Sequence, residues 1–185
     1  RYIDGLEING KLYLMYSSIG ISSSILQYMD SRWKSSYGRL AYLMGAIRHL
    51  FRADRKPVLF DIWIDGEQFQ VKAAEVLVIN TAPWGLGKYK IANNLIDDGR
   101  LEVCVIHKGR AQDILNGFID LALRERKVAL KYIGQGKEIT VHSAQPLDVQ
   151  ADGDIITQTP VTIKAVPQIT WLLVPDENED AIGAG

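Results

Sequence analysis

The chain has 185 residues, of which 47% are hydrophobic and 23% are charged, and its formal net charge is −1. This size suits one domain with a substantial core or two small ones, and the composition is that of a soluble globular protein. The near-neutral charge excludes a general nucleic-acid binder that works through a basic surface. One cysteine excludes an internal disulfide, and three scattered histidines offer no zinc site.

The first half of the chain predicts strands around one helix. KLYLMYSS (11–18) alternates and is rich in β-formers, which predicts a strand. Residues 39–51 carry apolar side chains at spacings of three and four, which indicates one face of a helix. Residues 58–73 predict a hairpin with Asp65-Gly66 as its turn. The apolar run at 73–80 predicts a buried strand.

The second half adds one more helix and then only strands. LEVCVIH (101–107) predicts a strand in which Cys104 is a buried, unreactive thiol. Residues 112–125 place apolar side chains on one helical face. From Val128 onward, the pattern predicts short strands at intervals near ten residues, the last two being VTIKAV (161–166) and ITWLLV (169–174). The predicted fold is therefore mainly β (α+β), an antiparallel β-sandwich with two inserted helices.

One turn in this β region poses a chemical question. In VQADGDIITQTP (149–160), the run Asp152-Gly153-Asp154 reads either as a hairpin turn with solvated carboxylates or as a carboxylate placed to accept a proton. The residues around the turn do not decide between these alternatives.

Four motifs in a fixed order resemble those of a known family, listed here as they occur: KLYLMYSSIGISSSI, YGRLAYLMGAIRHL, VLVINTAPWGLGKYKIANNLIDDGRLEVCVI and QPLDVQADGDIITQTPVTIKAVPQITWLLVP. They resemble the C-terminal domain of the diacylglycerol kinase-like lipid kinases, the superfamily that includes sphingosine and ceramide kinases. The likeness is greatest to the bacterial soluble lipid kinases, and it covers about residues 1–175.

The resemblance implies that Asp154 is the general base. In the family, an acidic residue in the last hairpin removes a proton from the lipid hydroxyl as that oxygen attacks the γ-phosphate of ATP. The family usually has Glu at this place, and Asp is one methylene shorter. Asp65-Gly66-Glu67 also spells DGE, but it lacks the Thr-Pro that follows in the family, so we expect an ordinary hairpin with a solvated Glu67.

The resemblance also implies a Mg²⁺ site at the turn in LIDDGRL (95–101). Its ligands would be the Asp98 carboxylate and the main-chain carbonyls of Leu95 and Arg100, with water completing the shell. An Asx-type turn without a metal is the alternative. For the glycine loop after the buried strand, the resemblance implies a position near the ATP phosphates for Asn80, Gly85 and Gly87. The alternative is that these glycines serve only a tight turn.

The tail over 176–185 is acidic and rich in Gly and Ala, so we expect a flexible end. The resemblance further implies a lipid kinase C-terminal domain over 1–175 and an N-terminal nucleotide-binding α/β domain that is absent from this chain. We therefore expect the lipid-side half of an ATP-dependent lipid kinase, cytoplasmic and inactive alone, that phosphorylates a lipid alcohol such as diacylglycerol. The basic edge of the first helix is either solvated or in peripheral contact with anionic headgroups. A non-catalytic lipid- or protein-binding module is the rival interpretation, and kinship to NAD kinases is a third.

Overall fold

A computed structural model describes residues 2–20, 56–80, 97–107 and 130–171. These residues form two antiparallel six-stranded sheets. The strands are β1 (Tyr2–Ile8), β2 (Lys11–Tyr13), β3 (Tyr16–Gly20), β4 (Val58–Ile64), β5 (Glu67–Ala73), β6 (Glu75–Ile79), β7 (Leu101–Ile106), β8 (Leu130–Gly136), β9 (Glu138–Ser143), β10 (Asp148–Ala151), β11 (Asp154–Gln158) and β12 (Val161–Trp171). Sheet 1 has the order β2-β1-β12-β9-β4-β5, and sheet 2 has the order β11-β10-β3-β6-β7-β8.

The core lies between the two sheets, and strand periodicity explains how each side fills it. In β4, Phe60, Ile62 and Ile64 are buried at every second position, as expected for a strand with one face on the core. In β7 all six residues are buried, so both faces of sheet 2 are covered at that strand. Burying a side chain of the size of Phe60 contributes about 1.5–3 kcal/mol.

The described strands confirm an antiparallel, mainly β architecture in two sheets. The two predicted helices, over 39–51 and 112–125, lie outside the described residues. Among the residues that the structure describes, there is no helix long and apolar enough to cross a membrane.

The prediction of one strand over 11–18 was wrong. Leu14 and Met15 connect β2 in sheet 1 to β3 in sheet 2, so the chain changes sheets within this run. The alternation continues through the crossover, which is why the pattern does not reveal it. Asn80 and Asp152 hold these two residues by hydrogen bonds from other parts of the fold.

The prediction of two final strands was also wrong, since β12 runs from Val161 to Trp171 without interruption. Its pairing with β1 shifts register between Ile3 and Gly5, which marks a β-bulge. Gln168 in this bulge has a φ of 54°. The bulge accommodates Pro167, which has no N–H group for a regular sheet hydrogen bond.

The predicted Asp65-Gly66 turn is confirmed. Its φ values of 49° and 88° are both positive, as a two-residue type I′ hairpin requires. The Asp65 carboxylate also accepts hydrogen bonds from the N–H groups of Lys137 and Glu138, at 2.8 and 2.9 Å. The turn between β4 and β5 therefore stabilises the link from β8 in sheet 2 to β9 in sheet 1.

Candidate functional site

One end of the sandwich brings together the described candidate residues. The register places Ala151 opposite Ser17, Tyr16 opposite Ile79, and Ile79 opposite Glu102, so these strand ends form one row. Asp152–Asp154 follows the end of β10, Asn80 follows the end of β6, and the 97–100 turn precedes the start of β7. The three stretches therefore lie at the same end of sheet 2.

Asp152 anchors the hairpin between β10 and β11. Its Oδ2 accepts a hydrogen bond from the N–H of Leu14 at 2.6 Å, and its Oδ1 accepts from the N–H groups of Met15 at 2.9 Å and Tyr16 at 3.1 Å. In return, the N–H of Asp152 donates to the carbonyl of Tyr16 at 3.1 Å. Its carboxylate therefore fastens the hairpin to the crossover between the sheets.

The buried side chain of Gln150 also holds this hairpin in place. Gln150 is 1% exposed, its Oε1 accepts the N–H of Gly153 at 2.9 Å, and its Nε2 donates to Ser18 Oγ at 2.9 Å. The Ser17 hydroxyl donates to the Gln150 carbonyl at 2.8 Å. Since Asp152 and Gly153 have φ values of 47° and 97°, the turn is again of the two-residue type with positive φ at both positions.

Asp154 differs from Asp152 in its surroundings. It is the first residue of β11, the edge strand of sheet 2, and it is exposed. Its register partner is Ala151, and directly opposed residues share one face of a sheet. Because Ala151 is part of the core, Asp154 lies on the inner side of sheet 2, at the end of the sheet where β10 finishes. An exposed carboxylate held on a braced turn can accept a proton from a group that comes within hydrogen-bond reach.

Asn80 links the crossover at Leu14 and Met15 to Asp4 in β1 of sheet 1. It is 2% exposed, and its Nδ2 donates to the carbonyls of Asp4 at 2.8 Å and Leu14 at 2.9 Å. Both partners are acceptors, which fixes the orientation of the amide. Its N–H donates to the carbonyl of Met15 at 2.9 Å. Among the described residues, its buried Oδ1 has no hydrogen-bond donor.

The 97–100 turn is held by two carboxylates. Asp98 is exposed, and its Oδ1 accepts the N–H of Arg100 at 2.9 Å, the geometry of an Asx turn. Asp4 is 1% exposed, and its Oδ2 accepts the N–H of Gly99 at 2.6 Å. The φ of Gly99 is 69°, a value that glycine adopts readily.

This turn has the donor chemistry that a hard cation needs. Mg²⁺ binds carboxylate and carbonyl oxygens and keeps several waters. Asp98 supplies an exposed carboxylate, whereas both oxygens of the buried Asp4 carboxylate accept backbone N–H groups. Within the described ranges, no three His, Cys, Asp or Glu side chains form a metal-binding group, so protein side chains would supply only part of the shell. The residues present fit a partly hydrated Mg²⁺.

The second DGE sequence is an ordinary hairpin. Asp65 uses its carboxylate to hold the neighbouring turn, and Glu67 is the exposed first residue of β5. This agrees with the expected solvated Glu67.

Cys104 is buried and unpaired as a thiol, as expected. Burial, together with the nearby negative charge of Glu102, raises the pKa of Cys104 to about 12. The thiol is therefore protonated at neutral pH, and the thiolate is the reactive form.

The sequence predicted Asn80, Asp98, Arg100 and Asp154, which lie at one end of the sandwich. Leu95, Gly85 and Gly87 lie outside the described residues. The hydrogen bonds by which Asp4 and Asp152 hold the two turns were not predicted from the sequence. An aspartate before glycine in a strand connection was a signal for Asp152, whereas Asp4 had none.

Comparisons with known proteins agree with this architecture. Residues 17–174 match the family model described as "YegS C-terminal NAD kinase beta sandwich-like domain". A protein of Staphylococcus epidermidis named "Putative lipid kinase" is 24% identical over 96% of this chain and 58% of its own length. An uncharacterized protein of Synechocystis is 24% identical over 96% of this chain and 42% of its own length.

The solved structures show the same fold. A crystal structure titled as a putative diacylglycerol kinase from Bacillus anthracis matches with a TM-score of 0.66 and 24% identity, covering 91% of this chain and 54% of that one. The chain thus spans about half the length of these relatives. The family match covers most of the chain, and it confirms the resemblance found in the sequence. The chain belongs to the family of YegS C-terminal NAD kinase beta sandwich-like domains and is a C-terminal domain of the diacylglycerol kinase-like type.

Proposed function

We propose that this chain is the lipid-side half of an ATP-dependent lipid kinase, with Asp154 as its general base. The observation that carries the proposal is an exposed carboxylate at the start of β11, on a hairpin that hydrogen bonds of Asp152 and Gln150 hold in place. Membership in the diacylglycerol kinase-like family supports the reaction class.

In the proposed reaction, the hydroxyl oxygen of a lipid alcohol, such as diacylglycerol, attacks the γ-phosphorus of ATP. The new O–P bond forms as the bond to the β–γ bridging oxygen breaks, and that oxygen leaves with the electron pair as part of ADP. Asp154 accepts the hydroxyl proton, for which hydrogen-bond reach is the first requirement. Phosphoryl transfer otherwise depends on alignment and on neutralisation of charge.

ATP would bind between this chain and a nucleotide-binding domain, the proposed partner without which the chain is inactive. We propose that the ATP phosphates lie beside Asn80, Gly85 and Gly87. For Asn80, the support is its hydrogen bond to Leu14 in the crossover, which Asp152 also holds. The exposed cross-strand pair Tyr2 and Trp171, 60% and 61% exposed, suits contact with such a domain.

Asp98 and the carbonyls of Leu95 and Arg100 would hold Mg²⁺ at the 97–100 turn. When bound there, the ion would serve a structural purpose, bracing the turn next to the proposed site. We also propose a cytoplasmic protein with peripheral contact to the membrane that contains its substrate.

The direct test is Asp154→Asn in the full-length protein, assayed for transfer of phosphate from ATP to diacylglycerol in mixed micelles. Loss of a general base lowers turnover by about 10²–10⁴-fold. Glu67→Gln is the matched control, since it changes the other DGE sequence at an exposed hairpin position, and it should retain wild-type turnover. Unchanged turnover in Asp154→Asn would remove Asp154 from the mechanism.

A non-catalytic lipid-binding module is the second candidate. Asp in place of the usual Glu favours it, because the shorter side chain places the carboxylate ~1.5 Å further back. Binding of the full-length protein to diacylglycerol vesicles without any phosphorylation would support this candidate.

A further inference from the structure

Ile155, the residue after the proposed base, has its backbone at a free edge of the fold. It lies in β11, the edge strand of sheet 2, and within the described part of the chain β10 is the only strand that pairs with β11. Ile155 is 39% exposed, so solvent reaches this stretch of the edge. The proposed reaction as described above gives Ile155 no part.

The register of the hairpin determines where the Ile155 backbone points. Asp152-Gly153 is a two-residue turn with positive φ at both positions, so the pair that closes it, Ala151 and Asp154, exchanges both backbone hydrogen bonds. The next pair, Gln150 and Ile155, is therefore of the type without mutual hydrogen bonds. In such a pair, the N–H and C=O of each residue point away from the other strand.

The contacts of Gln150 agree with this alternation. Its carbonyl accepts the Ser17 hydroxyl of β3 at 2.8 Å, on the side away from β11. The N–H and C=O of Ile155 therefore point the opposite way, towards the free edge. None of the described residues forms a hydrogen bond with these two groups. A ligand at the edge can thus use the Ile155 N–H as a donor.

This donor is adjacent to the carboxylate that is the proposed base. Asp154 and Ile155 are consecutive, and one residue of a strand advances the chain by about 3.3 Å. In a diacylglycerol with a terminal hydroxyl, the carbon that carries the hydroxyl is bonded to a carbon that carries an acyl ester. One glycerol backbone can therefore present its hydroxyl to Asp154 and the neighbouring ester carbonyl to the Ile155 N–H.

We propose that the Ile155 N–H binds the ester carbonyl next to the lipid hydroxyl, so that the site selects acylated alcohols. The inference rests on the proposed function, because it takes Asp154 as the base. The hydrogen bond holds a part of the lipid that does not react, and it is present both before and during phosphoryl transfer. It therefore lowers KM and leaves kcat almost unchanged.

The first test compares two substrates of the wild-type full-length protein in mixed micelles. One is a diacylglycerol, and the other is the dialkyl ether of the same chain length, which has no carbonyl groups. A single hydrogen bond corresponds to about 3–10-fold in affinity, so KM for the ether should be higher by that factor at a similar kcat. Equal KM values for the two lipids would overturn the proposal.

The second test removes the donor itself with Ile155→Pro, because proline has no backbone N–H. An edge strand tolerates proline where the N–H faces solvent, and Asp154 already has the extended backbone required before a proline. We expect KM for the diacylglycerol to rise about 3–10-fold and KM for the ether to stay within about twofold. Ile155→Val retains the N–H and should retain the preference for the diacylglycerol.

The outcomes separate this inference from the proposed function. A preserved preference in Ile155→Pro, or an equal loss for both lipids, would overturn the role of the N–H and leave Asp154 as the base. If circular dichroism shows that the proline variant does not fold, the comparison of the two lipids in the wild-type protein decides. Phosphorylation of neither lipid by the wild-type protein would overturn the proposed function and this inference with it.

Discussion

Substitution of Asp152 should destabilise the fold far more than substitution of Asp154, two residues away. The Asp152 carboxylate accepts three backbone N–H groups, whereas Asp154 is exposed at a strand end. With about 1 kcal/mol for each hydrogen bond and about 1 kcal/mol for alanine at a φ of 47°, Asp152→Ala should cost about 3–4 kcal/mol. That is a large fraction of a typical stability of about 5–15 kcal/mol.

Two further variants separate the causes of this loss. Asp152→Asn keeps one acceptor oxygen and a residue type that tolerates positive φ, so it should cost about 1–2 kcal/mol. Asp152→Gly removes every side-chain acceptor but has no steric penalty at positive φ, so its cost should lie between those of the Asn and Ala variants. Asp154→Ala should stay within about 0.5 kcal/mol of wild type.

Urea denaturation, followed by circular dichroism, measures these free energies of unfolding. Equal losses in Asp152→Ala and Asp154→Ala would refute the division of the turn into an anchoring and an available carboxylate. A loss below about 1 kcal/mol in Asp152→Ala would show that water replaces the three hydrogen bonds at little cost.

Two other predictions concern the core. Burial and the charge of Glu102 raise the pKa of Cys104 to about 12, so the thiol should stay protonated up to pH 9. It should not react with Ellman's reagent until the protein is unfolded in guanidinium. Rapid reaction of the native protein would contradict this. Gly5→Ala should cost about 2–3 kcal/mol in urea denaturation, since its Cβ would overlap the Ile169 side chain and approach the Tyr13 carbonyl at 2.6 Å. Gly10→Ala meets no atom within 4 Å at a φ of 74° and should cost only about 1 kcal/mol, so an equal loss in both variants would contradict the steric explanation.

The sequence predicted those features that neighbouring residues determine. Asp65-Gly66 and Asp152-Gly153 are turns because Asp and Gly tolerate positive φ, and this requires no distant partner. The alternating pattern of β4 likewise follows from its own residues. Such features can be inferred without knowledge of the rest of the fold.

The crossover at Leu14 and the part played by Asp4 could not be predicted in this way. The bond from Leu14 to Asp152 joins residues 138 positions apart, and the bonds of Asp4 to Gly99 and Gln168 span 95 and 164 positions. Contacts at such separations depend on the packing of two sheets and leave no periodic signal in the segments concerned. The candidate site residues were predicted from the family resemblance, but the hydrogen bonds that hold their turns in place were not.

The most direct test of the account is the turnover number of Asp154→Glu beside that of Asp154→Asn, in phosphorylation of diacylglycerol by the full-length protein. Both side chains are uncrowded at an exposed strand end, but only glutamate retains a carboxylate. We expect Asp154→Glu to keep turnover within about tenfold of wild type and Asp154→Asn to lose about 10²–10⁴-fold. Equal turnover in the two variants would contradict the claim that this carboxylate accepts the proton.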